Sequence, residues 1–274
     1  MRLRQVALVA RDLEPVRQAL ESVFGLKVAF RDPGVATYGL INVVMPFGGE
    51  FIEIVQPVTA DASAGRLLAK RGGDAGYMLI FQAPDAVRHR GRFVERGIRN
   101  IAELNSHRYT FTHFHPGDVD GVLTSIDTEG DGANWNEPRG SWTPAGPDWR
   151  NADAGPDIVG ILGATVQVAN PLATATRWTE LFEGRLEPGA TPQMMVDRGH
   201  VKFVKGTTAA GIIGLDLAVR HPKSHSRSCR EAGPAHRRIR RTYRRCGDAG
   251  VRDGLVSTRP ATTILKGAMR MLMS

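Results

Sequence analysis

An α+β fold built from tandem βαβββ units is predicted, the first pair complete and the second truncated. Three observations carry it. A strand, a polar cap and an amphipathic helix closed by glycine recur at residues 3–25, 77–97 and 163–184, and another strand opens at Gly211. Repetition of this kind marks repeated structural units. The first two helices are each followed by three strand-like runs punctuated by Gly and Pro. Third, the stretch Glu50–Phe81 sets one carboxylate, Glu53, in an otherwise apolar strand. A buried carboxylate is costly unless paired, so Glu53 is a site candidate.

Residues 3–10 read as a strand, and Asp12 caps a helix whose Val16, Ala19, Leu20, Val23 and Phe24 share one face. Gly25 ends it. Strands follow at Leu26–Arg31, Tyr38–Met45 and Phe51–Gln56, then a short helix at Ala64–Arg71 stopped by Gly72-Gly73. The second unit starts with the strand Tyr77–Gln82. Pro84 opens a helix through Arg96, Gly97 closes it, and strands are expected at Ile98–Leu104, Tyr109–His115 and Val122–Asp127. In the third unit Asn170-Pro171 gives a cap with proline at the first helical position. Ala175, Trp178, Leu181 and Phe182 face inward, and His200–Val204 is a later strand.

These boundaries divide the chain into a domain of two units at 1–129, a Trp/Gly/Pro-rich connection at 130–156, a partial second domain at 157–222 and a basic, disordered tail at 223–274. The connection carries Trp135, Trp142 and Trp149, more than a flexible linker holds. Its indoles are expected to pack between the two halves, with covering of a ligand cleft as the sharper reading.

The net charge is +8, but 13 Lys+Arg against 3 Asp+Glu in 223–274 put +10 in the tail and leave 1–222 at −2. Basicity is therefore local. The arginine-rich run at 237–245 suits a phosphate backbone, yet the neutral body offers no supporting basic face, which argues against nucleic acid. Both cysteines, Cys229 and Cys246, lie in the tail, so the body has neither a disulfide framework nor a cysteine metal site. No apolar run is long enough to span a bilayer and the first residues lack a signal-peptide layout, so a cytoplasmic monomer or homodimer without membrane contact is expected. From about His221 the helix and strands that a fourth unit requires are missing, as a shifted reading frame would produce; translating the other two frames tests this.

The segments QVALVARDL, FIEIVQP, LLAKRGGDAGYMLIF, FVERGI and HFHPGDVDGVLTSI resemble the vicinal-oxygen-chelate, or glyoxalase, superfamily. Within it residues 3–128 look most like methylmalonyl-CoA epimerases. The resemblance implies a half-barrel of paired units around one metal that stabilises an enolate or a chelated pair of oxygens. Carried over residue by residue, the ligand positions fall on Gln5, Glu53, Tyr77 and Ser125. Gln5 and Glu53 suit a divalent ion, whereas a neutral tyrosine and a serine are poor ligands. The epimerases' further carboxylate is missing, since nothing from Pro33 to Gly49 is acidic and Asn42 is the strong polar group there. In the second half the corresponding positions are Gly163, Gly214 and about Phe203.

Histidines complete the candidates. His113 and His115 share a strand face, though His115-Pro116 reads as a strand end. His89 is expected to be solvated, His107 to lie in a loop, and His200 has no partner in sequence. The expectation is thus a superfamily member with a degraded metal site and no cofactor. It binds a small or acyl-type molecule through Asn42, Tyr77, Ser125 and His113, with Glu53 as the candidate catalytic group. The alternative is a metal-dependent lyase or isomerase of the epimerase type, or a dioxygenase-like enzyme. Its rearranged site would hold Zn, Mn, Co, Ni or Fe on Gln5 and Glu53.

Overall fold

A computed structural model describes residues 1–59, 61–206 and 209–220. The tail at 223–274, its arginine-rich run and the expected frame shift lie outside them. The first half runs β1 (Arg2–Val9), α1 (Leu13–Phe24), β2 (Leu40–Phe47), β3 (Glu50–Pro57), α2 (Ser63–Arg71), β4 (Ala75–Gln82), α3 (Ala86–Glu95), β5 (Asn100–Asn105), β6 (Tyr109–Phe114) and β7 (Leu123–Glu129). The second runs β8 (Ile158–Val168), α4 (Pro171–Leu181), β9 (Arg185–Glu187), β10 (Gln193–Met195), β11 (His200–Lys205) and β12 (Gly211–Val219). Two open sheets result, ordered β2-β3-β1-β4-β7-β6-β5 and β12-β8-β11-β10-β9.

Local chemistry accounts for the boundaries. The Asp12 side chain accepts from Glu14 N at 3.0 Å. Gly25 takes φ 68° at the other end of α1, a left-handed turn that glycine adopts without strain. α3 starts two residues later than Pro84 suggests, because the Asp85 carboxylate accepts from Arg88 N at 2.8 Å and sets the cap. One expected strand is not there: Leu26–Arg31 is reduced to the single bridge Phe30–Val44. Its ladder stops because Asp32 N turns to Asn42 Oδ1 at 2.8 Å and a 3-10 turn starts at Pro33, which has no N–H to offer. The first pair therefore has seven strands and a bridge.

The internal repeat extends to register. β1 lies between a parallel β3 and an antiparallel β4, as β8 lies between a parallel β11 and an antiparallel β12. Each antiparallel pair slips at the same point. Tyr77 is passed over between Gly76 and Met78, and Ile213 is passed over between Ile212 and Gly214. Both are bulges, which bend the strand and re-aim the extra side chain.

One continuous apolar core joins the outer face of the first sheet to the second half. Helices α1 and α3 cover that face, and Phe182 after α4 meets Phe81 at 4.8 Å and Phe93 at 5.2 Å between ring centroids. At the edge, Arg2 is fully buried with Glu50, whose second oxygen accepts from Ile161 N at 3.2 Å. Two of the three tryptophans do not sit between the halves. Trp142 and Trp149 are buried in a separate cluster with Ala7, Val44, Phe51, Met78, Ile80 and Tyr109, on the inner face of the first sheet. Large flat aromatic surface covers apolar side chains from five strands at once.

Candidate functional site

The inner face is strongly curved. β2 and β6 hold the first and sixth places in the sheet, which in a flat sheet would lie roughly 24 Å apart. Yet the ring of Tyr38, two residues before β2, is 6.0 Å from that of His113 on β6. Trp142 likewise touches both sides, stacked at 6.4 Å from Phe51 on β3 and edge-on at 5.9 Å from Tyr109 on β6. The sheet is a trough with Trp142 lying across its middle.

At the floor is Glu53. Asn42 Nδ2 donates to its Oε1 at 2.7 Å and Gln5 Nε2 to its Oε2 at 2.9 Å. The chain of bonds continues outward. Trp142 Nε1 donates to Gln5 Oε1 at 2.6 Å, and Asn42 Oδ1 is fixed by Asp32 N. All four donors are neutral, so burial dominates and pushes the Glu53 carboxyl above the usual range, against the pull of the two amides.

The other predicted residues are placed as follows. Tyr77, the bulged residue of β4, turns its hydroxyl to Ser63 Oγ at 3.2 Å, and burial raises its pKa. Ser125 is fully buried, its hydroxyl donating to Asp127 and lying 3.1 Å from Thr112 O. His113 pairs in register with Ser125 and stacks on Phe111 at 4.6 Å; burial pushes its pKa down to about 4, which leaves it neutral. His115 points elsewhere, accepting from Gly117 N at 3.1 Å. Tyr77, Phe111, His113 and Leu123 are partly exposed and Tyr38 is exposed, and they form the open side of the trough.

Asp127 was not among the predicted residues. It is buried two positions beyond Ser125 on the same face of β7, where Ser125 Oγ and Tyr109 Oη donate to it. Burial pushes its pKa up to about 7, opposed by those two hydroxyls and aided by the charges of Glu129 and Glu53. A period-2 count from Ser125 points to it, but the acidic, glycine-rich continuation disguised it as a strand end. His89 is also corrected. Rather than solvated it is buried on α3, with its pKa lowered to about 4 by burial, because residues 86, 89 and 93 form the helix face against the core.

A divalent metal does not fit these side chains. Both Glu53 oxygens accept from amides, the Gln5 oxygen is taken by Trp142, and the Tyr77 and Ser125 hydroxyls turn to protein partners. Among the described residues no group of three or more His, Cys, Asp or Glu side chains comes together as a metal set. No helix of the described residues is long and apolar enough to cross a membrane.

No family model matches the sequence. No curated protein matches it either. Solved structures that resemble the first half include methylmalonyl-CoA epimerases. A Streptomyces coelicolor epimerase in complex with 2-nitronate-propionyl-CoA is 20% identical, covering 47% of this chain and 97% of its own, with a TM-score of 0.43. A methylmalonyl-CoA epimerase in complex with methylmalonyl-CoA and ammonium is 21% identical, over 47% of this chain and 94% of its own, at 0.41. The Mycobacterium tuberculosis epimerase is 18% identical, over 46% and 85%, at 0.41. The likeness is one of fold over about half of this chain.

Proposed function

We propose that the trough of the first sheet binds a small or acyl-type molecule, entered past Tyr38, Tyr77 and His113, and does so without a tightly held metal. The observation that supports this is the closed hydrogen-bond chain Trp142–Gln5–Glu53–Asn42. It occupies the two residues best suited to a metal with each other, and leaves an aromatic-walled opening with few polar groups, as small-molecule sites have. In this reading Tyr77 and His113 meet the ligand, while Asn42 and Ser125, buried and already hydrogen-bonded, fix the floor in which Glu53 lies beneath it. Protein purified without added metal and dialysed is expected to contain only substoichiometric metal. Acyl thioesters and small carboxylic or aromatic compounds are expected to raise its melting temperature in a ligand panel. Near-stoichiometric Zn, Mn, Co, Ni or Fe, lost in Glu53→Ala, overturns the metal-free reading.

A second reading rests on Asp127. Two carboxyl groups held on one face with raised pKa values, Glu53 and Asp127, are the pairing that proton-transfer chemistry of the lyase or isomerase type uses. Exchange of a ligand C–H for deuterium in D₂O, lost in Glu53→Gln, separates an enzyme from a binding module.

A further inference from the structure

The second sheet carries its own polar cluster at the place in the repeat where the first carries Glu53. Gln5 and Gly163 each stand seven residues before their helix caps, Asp12 and Asn170. Glu53 pairs with Ala7, two residues beyond Gln5, and Lys202 pairs with Thr165, two residues beyond Gly163. Lys202, not Phe203, is therefore the counterpart of Glu53. Phe203 faces the opposite way, edge-on to Trp178 in the core. By the same register His200 stands where Phe51 does and Asp216 where Ile80 does.

These three side chains meet. His200 Nε2 and Lys202 Nζ both lie 2.7 Å from Asp216 Oδ2, each reaching across β8 from β11 to β12. Gly163 makes the crossing feasible, since a Cβ there would come within 2.5 Å of His200 Nε2 and Cδ2. Burial acts to raise the Asp216 carboxyl, but the bonds from His200 and Lys202 outweigh it and hold it below the usual range. Asp216 is 1% exposed, whereas His200 and Lys202 keep 11% and 16% of their side chains exposed. A buried carboxylate thus holds an imidazole and an ammonium side by side on a half-open sheet face. Among the described residues, Nδ1 of His200 and the remaining N–H groups of Lys202 have no partner.

We propose that His200 and Lys202, positioned by Asp216, form a second ligand site that takes an oxyanion, the carboxylate or phosphate of a small molecule. The ammonium supplies a charge-assisted hydrogen bond, and a proton taken up at Nδ1 gives the imidazole a second one. Asp216 neutralises one positive charge, so the site selects a single compact anionic group rather than a polyanion.

The test uses the full chain with 13Cε1-labelled histidine, titrated with inorganic phosphate and, separately, with acetate. The His200 resonance, identified by its loss in His200→Gln, is expected to shift saturably with one probe. Lys202→Met is expected to weaken that binding about tenfold or more. Gly163→Ala, which displaces the ring, is expected to abolish the shift. Saturation by phosphate identifies a phosphorylated ligand, and saturation by acetate a carboxylic one. A shift that is merely linear with both probes, or equal saturation in Lys202→Met, overturns the proposal. Should Lys202→Met fail to fold, the wild-type 15Nζ lysine spectrum decides: Lys202 must move with the same midpoint as His200.

Discussion

Asp127 and Glu53 face the same trough, and burial raises the pKa of both. Asp127 titrates at about 7 in the folded chain, against roughly 3.9 when unfolded. The folded state thus holds its proton more tightly, and this group's contribution to stability is fully present below pH ~4 and lost as pH rises through about 7. The full effect of this one group is roughly 4 kcal/mol. Asp127→Asn is expected to flatten the decline between those pH values, measured by urea unfolding at a series of pH values; an unchanged slope would mean that Asp127 is ionised in the fold. Glu53 was legible in the sequence because a carboxylate stood alone in an apolar strand. Asp127 was not, since Asp-Thr-Glu-Gly-Asp-Gly reads as the way out of a strand. Only pairing with β6 shows that Tyr109 lies close enough to donate to it. Phe203 and Lys202 teach the same lesson from the other side. Misjudging the position by one residue in a strand exchanges the two faces, and parity is set by the neighbour's register.

Among the elements, helices were the most readable because caps and glycines are local, and the failed strand at Leu26–Arg31 was not, because its ladder is ended by the side chain of Asn42. The connection at 130–156 holds the largest structural surprise. Its Trp142 closes the trough and donates the hydrogen bond that orients Gln5. Trp142→Ala is expected to cost about 3–5 kcal/mol in chemical denaturation and to open the trough to hydrophobic dyes. Trp142→Phe keeps most of the aromatic cover but leaves Gln5 Oε1 buried and unpaired, for a loss of about 1–3 kcal/mol. Equal losses in the two variants would show that the bond to Gln5 carries the effect, and packing little.

For the whole molecule, the two sheets share a core, and the buried first-sheet ion pair Arg2–Glu50 reaches the second sheet through Ile161 N. Burial lowers the Arg2 pKa to about 10, with Glu50 working against it. Glu50→Ala leaves that guanidinium without its counter-charge and Ile161 N without its acceptor, for an expected cost of about 3–5 kcal/mol. Both halves are expected to melt in a single transition, with tryptophan fluorescence and far-UV circular dichroism coincident; two separate midpoints would mean that the halves are independent domains. The sharing also has a consequence for synthesis on the ribosome. Besides Glu50, the first strand is completed by backbone bonds from residues near 198, where Leu3 N donates to Arg198 O at 2.9 Å and Asp197 N to Met1 O at 3.0 Å. After β7 has been made, 69 further residues, 130 to 198, must be translated before those partners exist. At 5–20 residues per second this is a wait of roughly 3–14 s, far longer than a small domain needs to collapse. Of the strands of the two sheets, the first to be made is thus among the last to be finished, and a nascent first half presents the part of its outer apolar face left uncovered by α1 and α3 to chaperones until the second half emerges.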